Sequence, residues 1–171
     1  VTKNMTSSTQ GWMFKRGQGF DVVNYTGNAT AGHVIPHSMN KTIEMMWVKN
    51  IGDTDPWFVW HHGLNGGTNP EQYSLEFNTA AESSISYMNN VAPTSTHFTV
   101  GCHGIVNNNN ADYLAMLFAS VDGISKCGYY TGDGSSSMNI ECGFQPRFLI
   151  IRRTHTSSSV SYTHLRAHET V

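Results

Sequence analysis

The chain has 171 residues, a formal net charge of −2 and only 13% charged residues, against roughly 25% in an average globular protein. That composition excludes a basic nucleic-acid binder, because no stripe of Lys and Arg exists to neutralise phosphates. With 39% apolar and 11% aromatic residues it also argues against disorder, and its longest apolar run, Tyr113 to Ala119, is far too short for a membrane span.

No basic segment leading into an apolar stretch follows Val1, so nothing reads as a signal peptide, and the missing Met suggests a fragment of a longer polypeptide. Residues 1–18 read as a lead-in from a preceding region. In chain order, Phe20 to Tyr25 is the first expected strand, ended by the turn Thr26-Gly27-Asn28. Ile43 to Lys49 is mostly apolar and reads as a central strand. Trp57 to Trp60 follows Pro56, and Tyr73 to Asn78 alternates cleanly, with Tyr73, Leu75 and Phe77 expected to face the core. His97 to Val100 is a further strand. Asn107 to Asn110 reads as pure loop. Tyr113 to Ala119 fits a buried strand or a buried helix, and its length and aromatic flanks favour the strand. Apolar segments broken every 8–12 residues by Gly, Pro, Asn or Asp predict an all-β fold. The expectation is an antiparallel β-sandwich, jelly-roll or lectin-like, of about ten short strands over residues 19–159.

An internal echo runs through it. Val23 to Asn28 recurs as Gly128 to Asp133, and Glu44 to Asn50 lines up with Arg147 to Arg153. Each copy reads as strand, Tyr-Thr-Gly turn, strand, loop and apolar strand, near residues 19–50 and 125–153. From Val160 to Val171 the text changes character and resembles the peptide translated from a sequencing-library adapter. That resemblance implies an artefactual tail at 160–171, an environmental source, and a second repeat cut short.

The series Gly19 to Val23, Tyr25 to Asn28, Ile35 to Ser38, Glu44 to Asn50, His62 to Pro70, Ala92 to Ser95, Phe98 to Gly101, Leu117 to Lys126 and Tyr129 to Gly132 is similar to a domain family found in tailed phages of marine bacteria, cyanophages especially. The resemblance covers roughly residues 12 to 156. It implies a virion-associated module of tail-fibre or structural proteins, made in a bacterial host cytoplasm, with other virion proteins as partners and no established catalytic residues. His37 to Lys41 departs from the Leu-Gly turn and Pro that the family tends to carry there.

Few residues suggest chemistry. His33 and His37 are four apart, but Pro36 between them precludes the helix a metal pair would need. Cys102, Cys127 and Cys142 form no C-x-x-C and are expected to be small, reduced, half-buried thiols. Asp53-Thr54-Asp55, or Asn107 to Asn110 with Asp112, could offer oxygen ligands to calcium, yet both lack the closing Glu and read as solvated turns. No cofactor or metal is expected. Sugar recognition needs flat aromatic faces beside amide and carboxylate partners. Trp57, Trp60 and Tyr73, with Asn65, Asn69 and Asp55 on neighbouring loops, supply both and are the candidate glycan site.

Three functions follow. The favoured one is a non-enzymatic virion module, able to form a homo-oligomer, that contacts a host-surface glycan without binding nucleic acid or inserting in membranes. A glycan-active enzyme would need paired carboxylates, with Glu44, Glu76 and Glu82 to be tried. A secreted adhesion domain would need glycans on the sequons at Asn4, Asn24, Asn28 and Asn40 and paired cysteines.

Overall fold

A computed structural model describes residues 14–77, 82–146 and 148–154, and the backbone of a strand at Ser161–Leu165. The described residues carry nine strands: β1 Phe20–Thr26, β2 His33–Pro36, β3 Met45–Asn50, β4 Phe58–His61, β5 Leu75–Glu76, β6 His97–Val100, β7 Asp112–Phe118, β8 Phe148–Arg152 and β9 Ser161–Leu165. The one α-helical turn among them is α1, Gly104–Asn107. Five strands form an antiparallel sheet in the order β1-β7-β3-β4-β5, while β2 pairs with β6 and β8 with β9. The fold is all-β and sandwich-like.

Strand order follows from residue type. β3 is apolar on both faces, with Met46, Trp47 and Val48 all buried, and such a strand is stable only between two neighbours. In β7 the period-two pattern is strict: Tyr113, Ala115 and Leu117 are buried, while Leu114, Met116 and Phe118 are half-buried on the other face. The inner face packs with Ile35 of β2 and Phe98 and Val100 of β6 into one core. The outer face carries an aromatic row in which Phe20, Phe118 and Trp47 follow one another at 5.2 and 4.6 Å between ring centres.

Two buried polar side chains tie the layers together. Asn107 is fully buried. Its carboxamide oxygen accepts from the Asn28 backbone N–H at 2.8 Å, and its Nδ2 donates to the carbonyls of Thr30 at 2.9 Å and Gly101 at 2.8 Å. The turn after β1, the lead into β2 and the end of β6 are thereby joined at one residue. Gly27 is required beside it, because a Cβ there would lie 2.2 Å from the Asn108 carbonyl oxygen. Asp21, 1% exposed, accepts from Arg16 Nε at 2.6 Å and Val22 N–H at 2.8 Å, and from Ser38 N–H and Oγ at 2.9 Å each. Burial pushes its carboxyl up, but the Ser38 amide, the Arg16 guanidinium and the other donors outweigh it and hold the group below the ordinary carboxylate range.

Several expectations are corrected. Asn107 is not loop: it closes α1 and is buried, because its side chain finds backbone partners that no solvated turn would need. Of the expected Tyr73 to Asn78 strand, Asn78 lies outside the described residues, and among the rest only Leu75–Glu76 is strand, at a sheet edge; Tyr73 and Phe77 reach the core only as half-buried residues. In the second copy of the echo, Phe148–Arg152 is a strand, whereas Gly128 to Asp133 is irregular and exposed. The departure at His37 to Lys41 has a use here: Ser38 holds Asp21, and Met39 is 2% exposed in the core.

Asn107→Ala is expected to strand several buried backbone groups at once and to destabilise the fold by about 2–4 kcal/mol. Urea denaturation of the two proteins would show this as a lower midpoint with an unchanged slope.

Candidate functional site

At one end of the five-stranded sheet β3 begins, β4 ends and β7 ends, so residues distant in sequence are brought together there. Glu44 precedes β3, and its Oε2 accepts from Ser120 N–H at 2.8 Å and from Ser120 Oγ. Ser120 Oγ in turn accepts from Cys127 N–H at 3.0 Å, and Lys41 Nζ donates to the Ser120 carbonyl. His61, the last residue of β4, accepts the Gly63 N–H at Nδ1, 2.9 Å away. The next ring, His62, lies 4.6 Å from that of His61.

These contacts fix protonation. Burial, helped by the neighbouring His62, pushes the His61 imidazole down to about 4, with the Glu44 carboxylate partly opposing. His61 is therefore neutral at pH 7. Burial and Glu44 push the Cys127 thiol up to about 12, so it carries no thiolate to act as a nucleophile. Glu44, Ser120 and His61 are each tied to backbone or to a neighbour and brace the loop above them, while the buried His62 Nε2 has no hydrogen-bond partner among the described residues.

That loop, Leu64 to Gln72, contains a tight turn at Leu64–Gly67, left-handed through Asn65 and Gly66, and a 3-10 turn at Pro70–Gln72. Asn65 and Asn69 sit in the left-handed region at φ 51° and 46°, a conformation Asn tolerates better than most residues. The Asn65 N–H is held by Glu82 Oε2 at 2.9 Å, and its Nδ2 donates to the Thr68 carbonyl at 2.8 Å. Tyr129, 55% exposed, lies across the loop, and two glycines make room for it. A Cβ on Gly63 would stand 2.4 Å from the Tyr129 ring, and one on Gly67 would stand 2.5 Å from its hydroxyl. The ring meets His62 edge-on at 5.6 Å.

The six residues expected to contact glycan do not converge. Asn65 and Asn69 share the loop beneath Tyr129, and Tyr73 follows it, half-buried against the core. Trp60 is 2% exposed, with its indole N–H donated to the Pro70 carbonyl at 3.0 Å. It has no free face for a sugar and serves instead to anchor the loop. Trp57 and Asp55 are half-buried beyond the other end of β4, about 13 Å away at ~3.3 Å per residue. The accessible aromatic over this loop is Tyr129, which the sequence offered only within the echo and the family-like series, not as a site residue. The glycine run His62-Gly63-Leu64-Asn65-Gly66-Gly67 was the available signal that another side chain lies close to this backbone.

Other singled-out residues are held apart. His33 Nδ1 is 3.3 Å from Asn107 Oδ1, and His37 Nε2 is 3.2 Å from the Thr94 carbonyl. Among the described residues no group of three His, Cys, Asp or Glu is placed to hold a metal, and no helix is long and apolar enough to cross a membrane. The three cysteines are free thiols, and Cys102 is exposed rather than half-buried, as it follows β6 in an open turn.

The architecture and this loop-and-ring surface define the molecule as a β-rich domain with a shallow polar-aromatic face. The chain belongs to a family described as a domain of unknown function, DUF7483, whose model matches residues 5–165. No curated protein and no solved structure matches it.

The low value of His61 has a pH consequence. Below its ordinary 6.5 the unfolded chain takes up a proton that the folded chain refuses until about 4, so stability falls as pH drops through that window and is level above it. The loss is expected to be about 1–3 kcal/mol at pH 4. Denaturation midpoints at pH 7 and 4.5 would show a smaller drop for His61→Gln, which keeps an acceptor for Gly63 but cannot titrate.

Proposed function

We propose that this domain is a non-enzymatic structural module of a tail-fibre type virion protein, and that it touches host-surface glycan through Tyr129 and the Asn65–Asn69 loop. The resemblance to marine tailed-phage domains supports the virion setting, with other virion proteins as neighbours. The observation that carries the glycan reading is the exposed Tyr129 ring lying over Gly63 and Gly67, beside Asn65 and the exposed Asn69. A flat apolar ring can stack on a pyranose while neighbouring amides and backbone carbonyls meet its hydroxyls. The loop is rigid before binding, since Glu82, Thr68 and Trp60 already hold it, and little ordering entropy remains to oppose association.

The glycan-active alternative is less well supported. Paired-carboxylate hydrolysis needs groups free to shuttle protons about 5–10 Å apart. Here one oxygen each of Glu44 and Glu82 is occupied by backbone N–H donors, which makes both of them structural ties.

The test is binding of the purified chain to an array of bacterial surface polysaccharides and lipopolysaccharides. The chain should bind at least one class, Tyr129→Ala should weaken that binding roughly tenfold or more, and Tyr129→Phe should retain most of it. Because Tyr129 is more than half exposed, the Ala variant should keep its thermal midpoint within a few degrees. Binding unaltered by Tyr129→Ala, or no binding to any polysaccharide, would leave a spacer domain instead.

A further inference from the structure

β1 is an outer strand of the main sheet and pairs with β7 alone among the described residues. The two bonds that bracket this pair, Ala119 N–H to Gly19 C=O at 3.0 Å and Gly27 N–H to Ala111 C=O at 2.8 Å, set its parity. In an antiparallel ladder residues alternate between bonding inward and outward, so Asp21, Val23 and Tyr25 bond to β7 while Phe20, Val22, Asn24 and Thr26 turn their backbone groups outward.

The first half of that outer edge is closed by the chain itself. Gly17 exchanges both backbone bonds with Phe20, at 2.8 and 3.3 Å, and the Asp21 carboxylate takes the Val22 N–H at 2.8 Å. The second half is bare. The Val22 carbonyl and both backbone groups of Asn24 and Thr26 have no partner among the described residues. Nor does it carry the Lys, Pro or bulge by which natural edges discourage pairing.

What is left is self-complementary. We propose that a second copy of this chain pairs here, β1 against β1 antiparallel about a two-fold axis at Asn24. Asn24 then exchanges N–H···O=C bonds with the partner's Asn24, and each Thr26 N–H donates to the partner's Val22 carbonyl. Residues opposite one another in an antiparallel pair share a face, which sets the partner's Val22 beside Thr26. There a shallow depression of about 320 Å³ is lined by Asn24, Tyr25, Thr26, Ile51 and Asp112. Because Asn24 lies on the axis, its exposed side chain faces the partner's own Asn24 across the pair.

Sedimentation velocity on the full chain from about 10 µM to 1 mM tests this. The chain should form a concentration-dependent dimer. Asn24→Pro removes an outward N–H and nothing from the β7 ladder, a substitution edge strands accept, and it should weaken the dimer at least ~10-fold with an unchanged circular dichroism spectrum. Asn24→Asp, at an exposed site, places like charges opposite one another across the axis; it should also weaken the dimer and decides the matter if the proline variant fails to fold. A chain that stays monomeric throughout, or a dimer indifferent to both substitutions, overturns the proposal, including in favour of a strand from a different protein.

Discussion

One buried carboxamide sets the arrangement on which everything else rests. Asn107 is fully enclosed, and an amide removed from water must have its hydrogen bonds returned by the protein. The donors and acceptors that do so come from Asn28, Thr30 and Gly101. Once these are in place, β1 has to turn sharply at Gly27, β2 has to start close to the end of β6, and the β2–β6 ribbon has to lie over the inner face of the main sheet. Burial of Ile35, Phe98 and Val100 against Tyr113, Val48 and Met46 then supplies the apolar stabilisation. The polar contact contributes direction where the apolar core, being non-directional, cannot.

The same logic recurs at the sheet end beneath Tyr129. Glu44, Ser120, His61 and Glu82 are reactive residue types, but each spends a side-chain atom on a backbone group. Burial drives His61 and Cys127 toward their neutral forms, away from the values a proton shuttle or thiolate needs. The result is a well-braced loop whose outward features are Asn69, the Gly66–Gly67 backbone and an aromatic ring. A surface of this kind recognises by shape and hydrogen bonding, which is the property the proposed glycan contact requires.

Strand positions were largely legible in the sequence because side-chain alternation is a local consequence of burying one face. β6 falls at the expected residues, and β7 and β1 within one residue of them. What escaped was set by partners distant along the chain. Nothing near Asn107 announces that the carbonyls of Thr30 and Gly101 will reach it, so a run of four asparagines read as solvent-facing loop. The burial of Trp60 and the exposure of Tyr129 escaped for a related reason. An aromatic in a strand and one in a loop look alike in sequence, and their exposure depends on whether Pro70 or the paired glycines stand opposite. The polar loop of Asn65 and Asn69 was legible in the sequence, and the Tyr129 ring that lies over it was not.

The two surfaces proposed here occupy opposite ends of one rigid sheet. By register, Phe118 of β7 stands opposite Phe20 and Met45, and Met45 opposite His61, so the Tyr129 surface belongs to the Phe118 end. The bare stretch of β1 lies opposite Leu114 and Asp112 at the other end of β7, about 20 Å away along a seven-residue strand. Pairing through Asn24 would therefore leave both copies of the loop uncovered and, by the two-fold axis, at opposite extremes of a continuous ten-stranded sheet of two five-stranded halves. A single shallow contact with one sugar is weak, because so little area is buried. Two such contacts on a fixed frame convert the second binding step into an intramolecular one, raising the overall affinity without any new contact. The proposed shallow site and the proposed edge pairing, each poor alone, are compatible in one molecule, and together they would suit a repeating surface.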